Sequence, residues 1–142
     1  MKEENKIILY QDDDEITRVS VRFADEDLWL TQNQLADIYQ TSKSNVSEHI
    51  KHIFEDGELD KTVVVRNFRI TTQHGAMEGK TQSRDVAHYN LDMIIALGYR
   101  VQSQVATRFR RWATQRLHEY IQKGFAMDDE RLKQGGNRYF RE

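Results

Sequence analysis

Residues 29–59, WLTQNQLADIYQTSKSNVSEHIKHIFEDGEL, read as two short helices joined by a tight turn. Thr31 stands where the first helix needs a capping acceptor. Leu35, Ala36, Ile38 and Tyr39 then fall on one side, with small Ala36 where a second helix must cross closely. Ser42 caps the second helix, in which Val46, Ile50, Ile53 and Phe54 recur at helical spacing as a stripe to be buried. Lys43, Ser44, Asn45, Ser47, Glu48 and Lys51 are left outside. A helix held by one face and polar along the N-terminal half of the other is what base reading in a major groove requires, so the stretch points to a helix-turn-helix and to double-stranded DNA as partner. Gln40 stands where such turns often carry a glycine, and a left-handed non-glycine residue there costs on the order of 1 kcal/mol.

The chain has 142 residues, enough for one domain with its own core, and contains neither cysteine nor proline. Disulfide frameworks and thiolate metal sites are thereby excluded, and helix ends must be set by caps and glycines. The opening MKEENKIILY lacks the apolar core of a signal peptide, and no run reaches spanning length, so the expectation is a soluble cytoplasmic protein with no membrane partner. The formal net charge is −2 but unevenly spread: residues 1–30 carry −5 and 55–60 carry −4, whereas 61–84 carry +4 and 100–123 carry +5. That asymmetry suits one DNA-facing side and one facing solvent or a partner.

KIILY (6–10) and ITRVSVRF (16–23) read as strands around the acidic turn QDDDE, followed by a turn at 25–27 and a short apolar LWL. TVVVRNFRI (62–70) and SRDVAHY (83–89) read as two further strands whose glycine-bearing connection makes a wing. Alternation puts Val64, Arg66, Phe68 and Ile70 on one face and Val63, Val65, Asn67 and Arg69 on the other. Arg69, with Lys80 at the wing tip, is therefore the expected phosphate contact, and Arg66 packs inward. Asn90 caps a helix containing Leu91, Ile94, Ile95 and Leu97. Ser103 is expected to cap a longer one with Val105, Phe109, Trp112, Ala113 and Tyr120 on its core face and Gly124 as its stop. Arg108, Arg111, Gln115 and Gln122 gather on the opposite face, and Arg116 falls among the apolar positions.

The stretches VRFADEDLWLTQNQLADIYQTSKSNVSEHIKHIFEDGEL, YNLDMIIALGYRV, RFRRWAT and GFAMDDERLK resemble the virulence RhuM family along nearly the whole chain, with a fainter similarity to the Bro-N type domains of phage antirepressors. The resemblance implies a DNA-binding protein associated with pathogenicity islands and mobile elements. It directs attention to Thr31, Gln34, Ser42, Lys43, Ser44, Asn45 and Ser47. Family members typically continue into a further helical region, so residues 125–142 read as the start of a truncated extension after a domain at 1–124.

The expected fold is thus α+β: a winged helix-turn-helix with an N-terminal β-hairpin and additional C-terminal helices. The expected function is sequence-specific DNA binding in transcriptional regulation or mobile-element control, without catalysis and without a cofactor. Three other readings compete with this one. His49 and His52 are spaced to share a metal but lack a third ligand in sequence, so no metal site is expected. Asp56, Glu58 and Asp60 beside Lys61 suggest a nuclease centre less well than a solvated turn. A protein-interaction or homodimerisation module, using the helix pair and the Arg116 face, is compatible with DNA binding because a two-fold dimer reads two half-sites.

Overall fold

The computed structural model describes residues 6–73 and 81–132. In chain order the elements are β1 (Lys6–Gln11), β2 (Arg18–Ala24), β3 (Asp27–Leu30), α1 (Gln32–Tyr39), α2 (Lys43–Glu55), α3 (Lys61–Val64), β4 (Val65–Gln73), β5 (Thr81–Asn90), α4 (Leu91–Val101) and α5 (Ser103–Leu132). The class is α+β. All pairings are antiparallel, and the five strands form one sheet in the order β1-β2-β3-β5-β4.

The expected N-terminal hairpin and the later strand pair are therefore parts of one sheet. Short LWL joins them as part of β3, which pairs with β2 on one side and β5 on the other. The β2–β3 turn places Asp25 and Glu26 both at positive φ, 54° and 61°, which matches the twist of a two-residue hairpin. Strand alternation gives the sheet two unlike faces. One presents Tyr10, Val19, Val21, Phe23, Leu28, Leu30 and Tyr89 to the helices, all buried in the main core. The other presents Ile7, Leu9, Arg22, Trp29, Arg66, Phe68 and His88.

The apolar positions of α1, α2 and α4 complete the core: Leu35, Ile38, Val46, Ile53, Met93, Ile94 and Leu97 are wholly buried. Each such side chain contributes roughly 1.5–3 kcal/mol relative to exposure. From α5, Ala106, Phe109 and Ala113 are buried, whereas Trp112 is half-buried, packing edge-on to Tyr10 and Phe23 and tilted against Phe109 at the core margin. Half-buried Asp27 accepts hydrogen bonds from the backbone of Leu28 and Leu91 and from Asn90 Nδ2, tying β3 to the start of α4. Burial pushes the Asp27 carboxyl above its ordinary pKa.

Several local expectations are corrected. TVVV does not open a strand: Asp60 caps a helical turn over Lys61–Val64, so Val63 points outward at 61% exposure and β4 begins at Val65. Ser103 is the first residue of α5 rather than its cap, since Gln102 alone separates α4 from α5. Gly124 does not stop α5, which crosses the expected boundary at 124/125 and runs to Leu132; one interior glycine costs only about 1 kcal/mol. The wing tip with Lys80, and the segment from residue 133 onward, lie outside the described residues.

Candidate nucleic-acid interface

The helix pair is built by its caps. Thr31 Oγ1 accepts from the Gln34 backbone N–H, and Gln34 Oε1 accepts in return from the Thr31 N–H, a closed capping box. Gln34 Nε2 also donates to the Ser20 carbonyl at 2.8 Å, fastening α1 to β2. Both side chains expected at DNA are thus committed to holding α1. Ser42 Oγ similarly accepts from the Asn45 N–H and starts α2, while Asn45 Nδ2 donates to Thr41 Oγ1 at 2.8 Å. Asn45 is accordingly tied back to the turn and half-buried.

Gln40 adopts the left-handed conformation (φ 52°, ψ 53°) that glycine usually supplies. Its side chain explains how that is tolerated: Nε2 donates to Asp14 Oδ2 and Thr17 Oγ1 at 3.0 and 3.2 Å, latching the turn to the β1–β2 loop. The backbone N–H groups of Thr17 and Ile16 hold the Asp14 carboxyl below its ordinary pKa.

With Val46, Ile50 and Ile53 buried, the opposite side of α2 is open. Ser44, Ser47, Glu48 and Lys51 lie along it at helical spacing, with Lys43 exposed at its N-terminal end. The surface is charge-mixed, two lysines against Glu48 and Glu55. Of the two histidines, His52 stands 3.5 Å from Glu48, and His49 Nδ1 is buried without a hydrogen-bond partner. Among the described residues no three His, Cys, Asp or Glu side chains are placed to hold a metal ion.

Beyond α2 the strand pair β4–β5 sets its two arginines on opposite faces as expected. Arg66, however, packs over a small cluster on the outer face of the sheet and not into the main core, and Val64 lies in α3 before the strand begins. Arg69 is exposed and 3.6 Å from Asp85 across the ladder. Arg66 lies over Phe68 and Trp29, its guanidinium 4.5 and 5.8 Å from the ring centroids, and pairs with Asp25. Arg108 does not join a free basic face. Its guanidinium holds buried Asp12 at 2.8 Å, and that bond keeps the Asp12 carboxyl below and the Arg108 pKa above their ordinary values. The carboxylates of EDGELD are also engaged: Asp56 and Glu58 clasp Arg100 at 3.3 and 2.8 Å, and Asp60 caps α3.

Sequence reading missed a second, smaller cluster on the outer face of the sheet. Ala24, Trp29 and Phe68 are buried there, with Arg22 and Arg66 over the Phe68 ring and His88 edge-on to it at 4.8 Å. Alternation in RVSVRFA and VRNFRI would have revealed it once the two strands were known to share a sheet. His88 is 3% exposed, and burial depresses its pKa, with Arg22 adding to the effect while its bond to the Val86 carbonyl opposes it. A histidine harder to protonate folded than unfolded leaves stability intact above its unfolded pKa and erodes it as pH falls below. Urea unfolding therefore gives a lower midpoint at acidic than at neutral pH, with the loss beginning at about pH 6.5. His88→Gln removes the part of that slope due to His88. An unchanged slope in the variant would exonerate His88.

An α+β domain with a latched helix pair beside a two-stranded, arginine-bearing extension is the class that these features define. The sequence matches the virulence protein RhuM family over residues 63–142, and the chain belongs to that family. The match takes in β4, β5, α4 and α5, just over half of the chain, and begins after α2. Comparison with curated proteins and with solved structures gave no match. Among the described residues no helix is long and apolar enough to cross a membrane.

Proposed function

We propose that the chain binds double-stranded DNA sequence-specifically as a winged helix-turn-helix, with α2 in the major groove and β4–β5 as the wing, in control of transcription or of a mobile element. The observation that supports this reading is the exposed Ser44–Ser47–Lys51 stripe on a helix whose opposite face is locked into the core. Ser44 and Ser47 read base edges, Glu48 is placed to accept from a cytosine amino group, and Lys43 and Lys51 neutralise phosphates. Thr31, Gln34, Ser42 and Asn45 position the helix through their caps. Arg69, with Lys80 on the wing, contacts backbone. No catalytic step or cofactor belongs to this reading.

Selection from a random DNA library tests it: the expected result is an enriched motif, and recovery of unselected sequence would refute specific binding. On the enriched site, Lys51→Ala and Arg69→Ala each lower the log–log salt slope by about one and weaken all sequences alike. Ser47→Ala instead narrows the gap between preferred and random DNA. Asp85→Asn, which frees Arg69 from its ladder partner, tightens binding on every sequence. Slopes unaltered in both basic variants would remove α2 and the wing from the interface.

A further inference from the structure

The two edges of the sheet are protected very differently. Strand β4 carries Arg66, Asn67 and Arg69 along its length, the charged and polar dressing that discourages edge pairing. Strand β1 carries IILY through its middle, without charge or proline, and its one-to-one register with β2 contains no bulge. Ile7 and Leu9 stand 52% and 55% exposed on its outer side, and among the described residues β1 has β2 as its single strand neighbour.

We propose that β1 pairs antiparallel with β1 of a second copy of this chain, joining two five-stranded sheets across a two-fold axis at Ile8. The strand is self-complementary in that register. Residues of like parity must oppose one another if the two sheets are to share their faces. Centring on Ile8 sets Ile8 against Ile8, Ile7 against Leu9 and Lys6 against Tyr10. Each copy's Ile7 and Leu9 then meet their counterparts in an apolar quartet on the outer face, which accounts for two exposed side chains that a free edge does not need.

A six-residue edge buries less than the roughly 800 Å² per partner typical of a stable interface. The surface beside it adds to the contact. Lys6 and Ile8 line an open cleft of about 440 Å³ with Arg116, Glu119 and Tyr120 of α5. Arg116 bonds Glu119 at 3.1 Å, yet its Nε is buried without a partner. Lys6 and the Arg116–Glu119 pair line the same rim, so the two-fold arrangement sets polar groups beside the apolar edge. Isologous pairing thus covers the apolar edge.

The proposal does not rest on DNA binding, so the test is made without DNA. Sedimentation velocity of the 142-residue chain across the micromolar range gives a species of twice the chain mass. The double variant Ile7→Lys, Leu9→Lys is monomeric with an unchanged melting temperature at low concentration, because both side chains are exposed in a single copy. Directly opposed residues have Cα atoms about 4.5–5.5 Å apart, inside the roughly 4.4–6.8 Å that a disulfide spans. Since the chain has no cysteine, Ile8→Cys then oxidises to a covalent dimer, whereas Ser44→Cys on α2 does not. A chain monomeric throughout, a dimer that survives the double lysine variant, or cross-linking through position 44 in place of position 8 would each overturn the proposal.

Discussion

Gly98→Ala destabilises the chain by about 3 kcal/mol in urea unfolding at neutral pH, although alanine is the better helix former by about 1 kcal/mol. Gly98 lies in α4 where α1 and α5 both close on it. An added Cβ would stand 2.5 Å from Tyr39 Cζ and 2.6 Å from Ala106 Cβ, and closer still to the Tyr39 hydroxyl. None of these can yield cheaply. Tyr39 is 2% exposed and donates its hydroxyl to the Ile94 carbonyl at 2.8 Å, and Ala106 is wholly buried. Moving the ring breaks that bond and leaves a buried hydroxyl unpaired, which costs roughly 1–3 kcal/mol. Burial already drives the Tyr39 hydroxyl pKa upward. A variant as stable as the parent would mean that α1 can slide on α4, and would loosen the case for a fixed helix pair.

Phe109→Ala costs more, about 3–5 kcal/mol by the same measurement, as a large side chain removed from a filled site. Phe109 is wholly buried and packs edge-on to Tyr10 at 4.9 Å and against Trp112 at 5.5 Å, so its loss opens a cavity and dissolves two aromatic pairs. Trp112→Ala costs less than Phe109→Ala, because the indole already has one side open and water replaces part of its contacts. If the order of the two were reversed, the long helix would be rotated relative to the sheet, with Trp112 at its true anchor.

Much of this architecture is legible in local chemistry. Thr31, Ser42 and Asn90 announce three helix starts because a capping oxygen is needed at one position only. The stripes Leu35–Ile38 and Val46–Ile50–Ile53 declare their buried faces by period alone. Other expectations gave way where a neighbouring cap, the rest of a long helix or a distant partner outweighs local propensity. Three of the four residues of KTVV are β-branched, but Asp60 offers a cap and the turn becomes helical. Gly124 weakens a helix without ending it. Arg108 looks like a free cation until the fold brings Asp12, 96 residues away in sequence, within 2.8 Å. The same holds at the candidate interface. Asn45 reads as a base-contacting residue by position, and only the structure reveals that its amide is bonded to Thr41. That β3 would bridge two strand pairs into one sheet could not be read from DLWL, whose four residues carry no signal of partners on both sides.

The latch at Gln40 gives the helix pair an unusual dependence. A glycine would take the left-handed conformation without strain and without side-chain partners, whereas Gln40 is held there by Asp14 and Thr17, which belong to the loop closing the β1–β2 hairpin. Two residues before Asp14, Asp12 is clamped by Arg108 from α5. One short acidic loop therefore takes its bearings from the long helix and passes them to the turn, as a gimbal fixes the axis of whatever it carries. The turn before α2 is thus tied to the hairpin loop while α2 itself is packed on the core, so any event that shifts β1 strains the Gln40 bonds at the start of the helix.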